Sequence, residues 1–269
     1  NITDINRACS MMIVTLTGCY LGDRVSINSR DRRLCFPAYG FSIPYDGEHQ
    51  NFYSWSIYSY KGNKIQLGDY VKNESMGDEG RISATYDKEA LLKSLMKDSL
   101  KFGVDLFPGT NVICTQTQTR QVTVFTRECT KFNGTFEIGA DGRASRRAKT
   151  LGKNKERTFY GTSTSYGFEM RGVEPSEKYA LFQIFLGEKT PMRIWMTPRA
   201  DGETYFPFIS CTHPGADVQG AFERFTRQGY FAPWFKHAET VRPLCIEGNM
   251  YSHIVDPYKD QVMLVSDAV

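Results

Sequence analysis

Ile138-Gly139-Ala140-Asp141-Gly142-Arg143-Ala144-Ser145-Arg146 is the stretch on which the reading of this chain turns. It follows strand-like residues and opens a short basic helix. Glycines at 139 and 142 let the backbone turn sharply and admit a ligand close to the main chain. Asp141 stands at the turn, and a helix beginning near Arg143 points its N–H groups toward any phosphate nearby. Asp-Gly is also among the commonest turn dipeptides, so a plain strand–turn–helix connection is the competing reading. A second stretch, Val262-Met263-Leu264-Val265-Ser266-Asp267-Ala268, repeats the theme at the end of the chain: an apolar strand stops at a small residue and an Asp. At both places a carboxylate can meet a ligand hydroxyl.

Outward from these motifs the pattern is a mixture of strands and helices. Residues 1–80 are β-rich. Met11 to Thr17 forms an apolar strand, and Asp23 to Asn28 with Leu34 to Phe36 a hairpin. The half-buried strands are Ala38 to Tyr45, Asn51 to Tyr60 and Ile65 to Tyr70, with a loop from Asn73 to Gly80. Asp87 then caps a helix carrying Leu91, Leu92, Leu95, Met96 and Leu100 on one face, and Gly103 ends it. Val104 to Phe107 reads as a strand, Asn111 to Gln116 with Gln121 to Arg127 as a hairpin, and Phe132 to Ala140 as the strand into the Asp-Gly turn. Beyond Thr158 come strands at 167–171, 180–185, 192–196 and 205–211, an amphipathic helix from Ala216 to Gln228, and strands at 241–246 and 261–265. The expected fold class is α/β, or mixed α+β. Its expected regions are 1–80, 81–157, 158–260 and a returning strand at 261–269.

Bulk properties exclude several classes. The 269 residues suffice for a sizeable core. A net charge of +3 gives no electrostatic case for nucleic acid, and the basic residues from Arg143 to Arg157 lack interleaved aromatics, so they read as a solvated helix face. Seven scattered cysteines without a C-x-x-C pair make neither a disulfide framework nor a zinc site, which points to a reducing, cytoplasmic setting. No apolar run approaches the roughly 20 residues of a membrane helix, leaving peripheral membrane contact open. The four histidines show no metal-ligand spacing, and no G-x-S-x-G elbow is present. Without a starting Met or a polar terminus, the chain reads as a fragment.

Taken together and in this order, the two motifs resemble the internal fingerprints of FAD-dependent oxidoreductases of the geranylgeranyl-reductase and aromatic-hydroxylase type. The resemblance runs from about Asp87 to the end and is looser before it. It implies that Gly139, Asp141, Gly142 and Ser145 lie along the pyrophosphate of FAD, and that Asp267 and Ala268 meet its ribose or ribityl part. Ser266 stands where the family pattern has Gly. Trp195-Met196-Thr197-Pro198 resembles the W-x-x-P strand over the isoalloxazine ring. With Tyr45 and Trp55, Trp195 and Pro198 are therefore expected to line a pocket for a small apolar substrate. The family's opening G-x-G-x-x-G occurs nowhere in the chain, so the resemblance implies part of an FAD-binding Rossmann-like lobe with a β-rich substrate domain. It further implies a reductase or a monooxygenase that draws electrons from NAD(P)H or another reductant. No residue stands out as a catalytic acid or base. The rival from another class is a β-rich ligand-binding module, or a flavoprotein fragment unable to hold FAD by itself.

Overall fold

The computed structural model describes residues 12–14, 25–28, 30–187, 191–213 and 215–269. The expected N-terminal strand is seen as Met12–Val14, while Cys9 and Cys19 lie outside the described residues. The chain is a mixed α/β protein that divides into two compact units. One comprises Asn1–Val104 with Thr162–Gly248, the other Asp105–Gly161 with Asn249–Val269. These limits differ from the expected cuts, because the helix after Asp87 falls with the first unit rather than with the Asp-Gly region.

The first unit is built on a seven-stranded sheet. Its strand order is Glu239–Tyr251, Phe159–Arg171, Tyr205–Cys211, Arg193–Pro198, Ala180–Phe185, Ser54–Ser59 and Lys64–Leu67. The pair formed by Ala180–Phe185 and Ser54–Ser59 is parallel; the other described pairings are antiparallel. Side chains alternate between faces along each strand. One face carries Phe182, Ile184, Ile194, Met196, Tyr205 and Ile209, which are buried against Ala221, Phe222 and Phe225 of the helix Val218–Arg227. That helix starts where Asp217 accepts a hydrogen bond from Gly220 N at 2.8 Å, and its apolar residues fall on one side. The strands Met12–Val14, Ser83–Tyr86 and His49–Phe52 form a small antiparallel sheet, as do Ser26–Asn28, Arg33–Phe36 and Phe41–Pro44.

Local signals account for much of this. Asp87 accepts from Ala90 N at 3.0 Å at the start of the helix Lys88–Lys101, and Gly103 takes a positive φ after it. Two expectations are corrected. The segment 73–80 is not a plain loop, because Asp69 caps a helix over Tyr70–Ser75 and a short 3-10 turn follows at Gly77–Glu79. Val104 to Phe107 forms no strand: no neighbour offers it a ladder, and Phe107 instead packs its ring on Phe132 at 4.6 Å.

In the second unit, Val112–Gln118, Gln121–Thr126 and Lys131–Gly134 make a three-stranded meander. A smaller sheet runs Glu137–Gly139, Val262–Leu264, Tyr258–Lys259. The expected single strand from Phe132 to Ala140 is thus two strands serving two sheets. Among the described residues no helix is long and apolar enough to cross a membrane.

Candidate functional site: the paired Asp-Gly and Ser-Asp-Ala turns

The two sequence motifs, separated by most of residues 140–261, lie side by side in the second unit. Glu137–Gly139 pairs in parallel with Val262–Leu264, in the register Glu137↔Val262, Ile138↔Met263 and Gly139↔Leu264. Glu137 N donates to Gln261 O at 2.9 Å, and Val265 N to Gly139 O at 3.0 Å. Both turns therefore leave the carboxyl ends of adjacent parallel strands, the position where open α/β sheets bind their ligands. The pair is held from one face: Leu264 is buried with Ala148, Ile254 and Ala268.

Each expected residue now has a place. Gly142 has φ +78°, and no heavy atom lies within 4 Å of where its Cβ would be, so the turn is open on that side. Gly139 serves packing instead. A Cβ there would sit 2.9 Å from Leu264 Cδ2 and 3.3 Å from Arg147 Cβ. Gly139→Ala is expected to lower stability by about 1–3 kcal/mol through overpacking. Urea unfolding followed by circular dichroism checks this, and an unchanged midpoint would refute the packing role. Ser145 Oγ accepts from Ala148 N at 2.9 Å and caps the helix Arg146–Thr150. The Asp141 carboxylate accepts from Arg147 N at 3.2 Å. Burial pushes its pKa up, but the Ser145 hydroxyl and the Arg147, Asp141 and Arg146 amides outweigh that and hold it below the usual aspartate value. The expectation of a helix opening near Arg143 with N–H groups free for phosphate is therefore corrected. The helix begins at Arg146, and Asp141 and Ser145 already occupy its first donors.

Ser266 has φ +59°, the left-handed region that glycine enters at least cost. The backbone at this position thus takes an angle that suits glycine, although serine stands there. Ala268 is fully buried and packs against Ala148 rather than facing an open surface. The side chain of Asp267 lies outside the described residues; its backbone belongs to the 3-10 turn Ser266–Ala268.

A cavity of about 720 Å³ adjoins the Asp-Gly turn. Gly139 to Asp141, Arg146, Arg147 and Thr150 form one wall, and Gly109 to Cys114 form another. At its base Arg147 and Glu137 pair, with Nε–Oε1 at 2.7 Å and Nη2–Oε2 at 2.9 Å, and Thr115 Oγ1 donates to Glu137 at 3.3 Å. Neither residue is marked by the sequence, since Arg147 sits inside a basic run that reads as a solvated face. The alternation of Glu137 with Ile138 was the available signal, because it turns Glu137 to the same side as Gly139.

The four residues expected around a substrate do not converge. Trp55 and Trp195 meet on the sheet face opposite the helix Val218–Arg227, with ring centroids 5.7 Å apart. Pro198 shares the pleat side of Ile194 and Met196 and is buried. Tyr45 belongs to a separate cluster with Val25, Ile27 and Leu34. Its hydroxyl accepts from Asp87 N at 2.8 Å and donates to Glu48 O, and burial pushes its pKa up to about 12. It acts as a strut between segments. His253 and Asp256 are both exposed.

No family model and no curated protein matches the sequence. Solved structures do match in fold. A flavoprotein/dehydrogenase from Cytophaga hutchinsonii is 17% identical over 86% of this chain and 56% of its own, with a TM-score of 0.60. A geranylgeranyl bacteriochlorophyll reductase-like protein from Thermoplasma acidophilum is 16% identical over 81% of this chain and 55% of its own, at 0.62. The flavin-dependent halogenase CmlS is 17% identical over 82% and 41%, at 0.63. The chain thus spans about half the length of these structures, and over that half it is similar to them in fold.

Proposed function

We propose that this chain is part of an FAD-dependent oxidoreductase, similar to geranylgeranyl reductases, that acts on an apolar isoprenoid-like or aromatic substrate in the cytoplasm. One observation carries the reading: the parallel pairing of Glu137–Gly139 with Val262–Leu264, which brings the Asp-Gly and Ser-Asp-Ala turns to the same strand ends. What supports a cofactor here is the surface around the Asp-Gly turn, where Gly139 and Asp141 line the adjoining cavity while Gly142, Ser145 and the Ser266–Ala268 turn do not. The cavity lies in the size range of ligand pockets. The open side of Gly142 leaves room for a backbone approach to phosphate. The Asp141 carboxylate, a multiple acceptor, has capacity for a ligand hydroxyl beyond the Arg147 amide. Arg146, exposed on the same wall, offers a cation to the pyrophosphate.

When bound, the flavin would supply the redox chemistry, with NAD(P)H or another reductant as donor. The chain's own part is to meet the nucleotide at Asp141, Gly142 and Arg146 beside the backbone of the Ser266 turn, and to offer the Trp55 and Trp195 face to substrate. A monooxygenase is the second reading, favoured by the halogenases among the proteins of like fold.

The visible spectrum of the chain, taken after incubation with FAD and gel filtration, tests the proposal. Retained flavin is expected. Asp141→Asn, which keeps an oxygen for the Arg147 amide but removes the charge, is expected to weaken retention about tenfold, as loss of a charged hydrogen bond does. A colourless wild-type chain would overturn FAD retention by these residues alone, and repeating the test on a chain extended upstream would separate a fragment, which then retains flavin, from a binding module, which does not. Oxygen uptake that depends on reductant and substrate would favour the monooxygenase.

A further inference from the structure

We propose that residues 149–157 of the second unit, with the loop 252–257 packed on them, dock on the surface of an anionic phospholipid membrane. Contact of this kind is independent of whether flavin binds. Positive charge is concentrated here. Residues 143–157 hold seven arginines and lysines against one acid, Glu156, so this stretch carries +6 in a chain whose net charge is +3. Two of the seven are engaged elsewhere: Arg147 pairs with Glu137, and Arg146 stands on the wall of the cavity. Lys149, Lys153 and Lys155 pair with no carboxylate among the described residues. Lys149 and Lys155 are exposed, and Lys153 is half-buried.

Local folding gathers these cations. At the end of the helix Arg146–Thr150, Leu151 N donates to Arg147 O at 2.9 Å and Gly152 N to Lys149 O at 3.0 Å. Gly152 then takes φ +74°, which reverses the chain at little cost, and a 3-10 turn follows over Lys153–Glu156. Two consecutive turns thus hold residues 149–157 in a short span. The loop 252–257 is tied to the same segment. Ile254 is buried with Ala148, and Leu151 packs against them. Arg157 Nε donates to Ser252 O at 2.7 Å, Thr158 N to the Ser252 hydroxyl at 3.0 Å, and Ser252 N to Thr158 O at 2.8 Å.

Uncovered apolar side chains border the cations. Phe159 is 54% exposed, Tyr251 43% and Val255 84%. Arg157 lies over the Tyr251 ring at 5.3 Å, and the Phe159 ring meets the same ring at 5.3 Å. The basic run has no interleaved aromatics in the linear sequence, but folding brings Tyr251 into it from the end of a distant strand. Cations that meet headgroup phosphates, beside aromatic and aliphatic groups that enter the boundary, make the mixture of an interfacial surface. A nucleic acid fits less well. Its footprint is a basic face across a domain, whereas the second unit outside 143–157 holds four cations against seven acids. Val255 also offers no ring on which a base could stack. Among the described residues no helix can cross a membrane, so the contact is made from the surface.

Co-sedimentation of the 269-residue chain with vesicles of phosphatidylcholine, alone or mixed with phosphatidylglycerol, tests this. The chain is expected to bind the mixed vesicles and not the neutral ones, and to be released by added salt. Lys153→Gln combined with Lys155→Gln is expected to lower the partition coefficient about twentyfold, at about fivefold for each lost charge. Phe159→Ser is expected to weaken binding severalfold without changing its salt dependence. Lys97→Gln combined with Lys178→Gln removes the same charge from exposed positions of the first unit, and is expected to bind like wild type. Circular dichroism confirms that each variant is folded. Equal binding to both kinds of vesicle, or an equal fall in the Lys97 and Lys178 variant, overturns the assignment to these cations. No binding to either vesicle overturns the whole proposal. A duplex oligonucleotide bound more tightly than the mixed vesicles overturns the lipid in favour of nucleic acid. Flavin retention is read separately from the visible spectrum, so a colourless chain that binds the mixed vesicles would sink the flavin reading alone.

Discussion

Arg147→Met is expected to destabilise the second unit by about 3–5 kcal/mol, the cost of leaving one member of a buried ion pair without its partner. The side chains of Arg147 and Glu137 are only 9% and 12% exposed, and the guanidinium meets both carboxylate oxygens within 2.9 Å. Methionine retains most of the aliphatic volume beside Gly139, so packing changes little while the Glu137 charge loses its counterion. Thr115, at 3.3 Å, supplies one neutral hydrogen bond and does not replace it. The double variant Glu137→Leu with Arg147→Met is expected to recover most of the loss, because an apolar pair removes both charges from the interior. Urea unfolding, together with amide exchange at the 137–139 strand, measures the effect. A loss under about 1 kcal/mol in the single variant would mean that water reaches the pair. The consequence extends to the site, since Arg147 also packs against Gly139 and follows the Asp141 cap.

Glu169→Ala is expected to cost the first unit a similar amount, about 3–5 kcal/mol, because one carboxylate there answers two cations. Its Oε1 lies 2.6 Å from Arg199 Nη2, and Arg242 donates through Nε and Nη2. Arg199 is 9% exposed and cannot turn to water without leaving the Phe206 ring. The same cluster predicts a pH effect. Burial pushes the Glu169 carboxyl up, but the Arg242 hydrogen bond and the charges of Arg199 and Arg242 outweigh it and hold the pKa below its ordinary 4.5. A carboxylate depressed on folding contributes stability that is fully present above pH 4.5 and is lost as the pH falls through its folded value. Stability profiles of wild type and Glu169→Gln should therefore lie apart at neutral pH and converge in acid. Parallel profiles from pH 7 to pH 3 would show that the carboxylate carries no such linkage.

The motifs were legible because turn and cap chemistry is local. Asp87 caps its helix, Gly103 and Gly142 take positive φ, and Ser145 caps the helix at Arg146, all through contacts within a few residues. Hairpins such as 112–118 with 121–126 follow from alternation and a tight turn for the same reason. Ser266 shows local chemistry holding against the residue: the backbone keeps a glycine-like angle although serine stands there. Ser83–Tyr86 went unforeseen because a four-residue strand gives a weak signal unless its partners are known.

What the sequence by itself determined is the strand-and-helix alternation, the caps, and two turns able to present a carboxylate. Tertiary structure alone decided that these turns are neighbours, because three-residue strands choose partners by which side chains they bury together, here Leu264 with Ala148 and Ile254. It also selected Arg147 from a run of otherwise similar cations, since among the described residues that side chain is the one of the run that pairs with a largely buried acid. It likewise separated Trp55 and Trp195 from Tyr45, because the face a residue occupies depends on sheet register, which propensity does not encode.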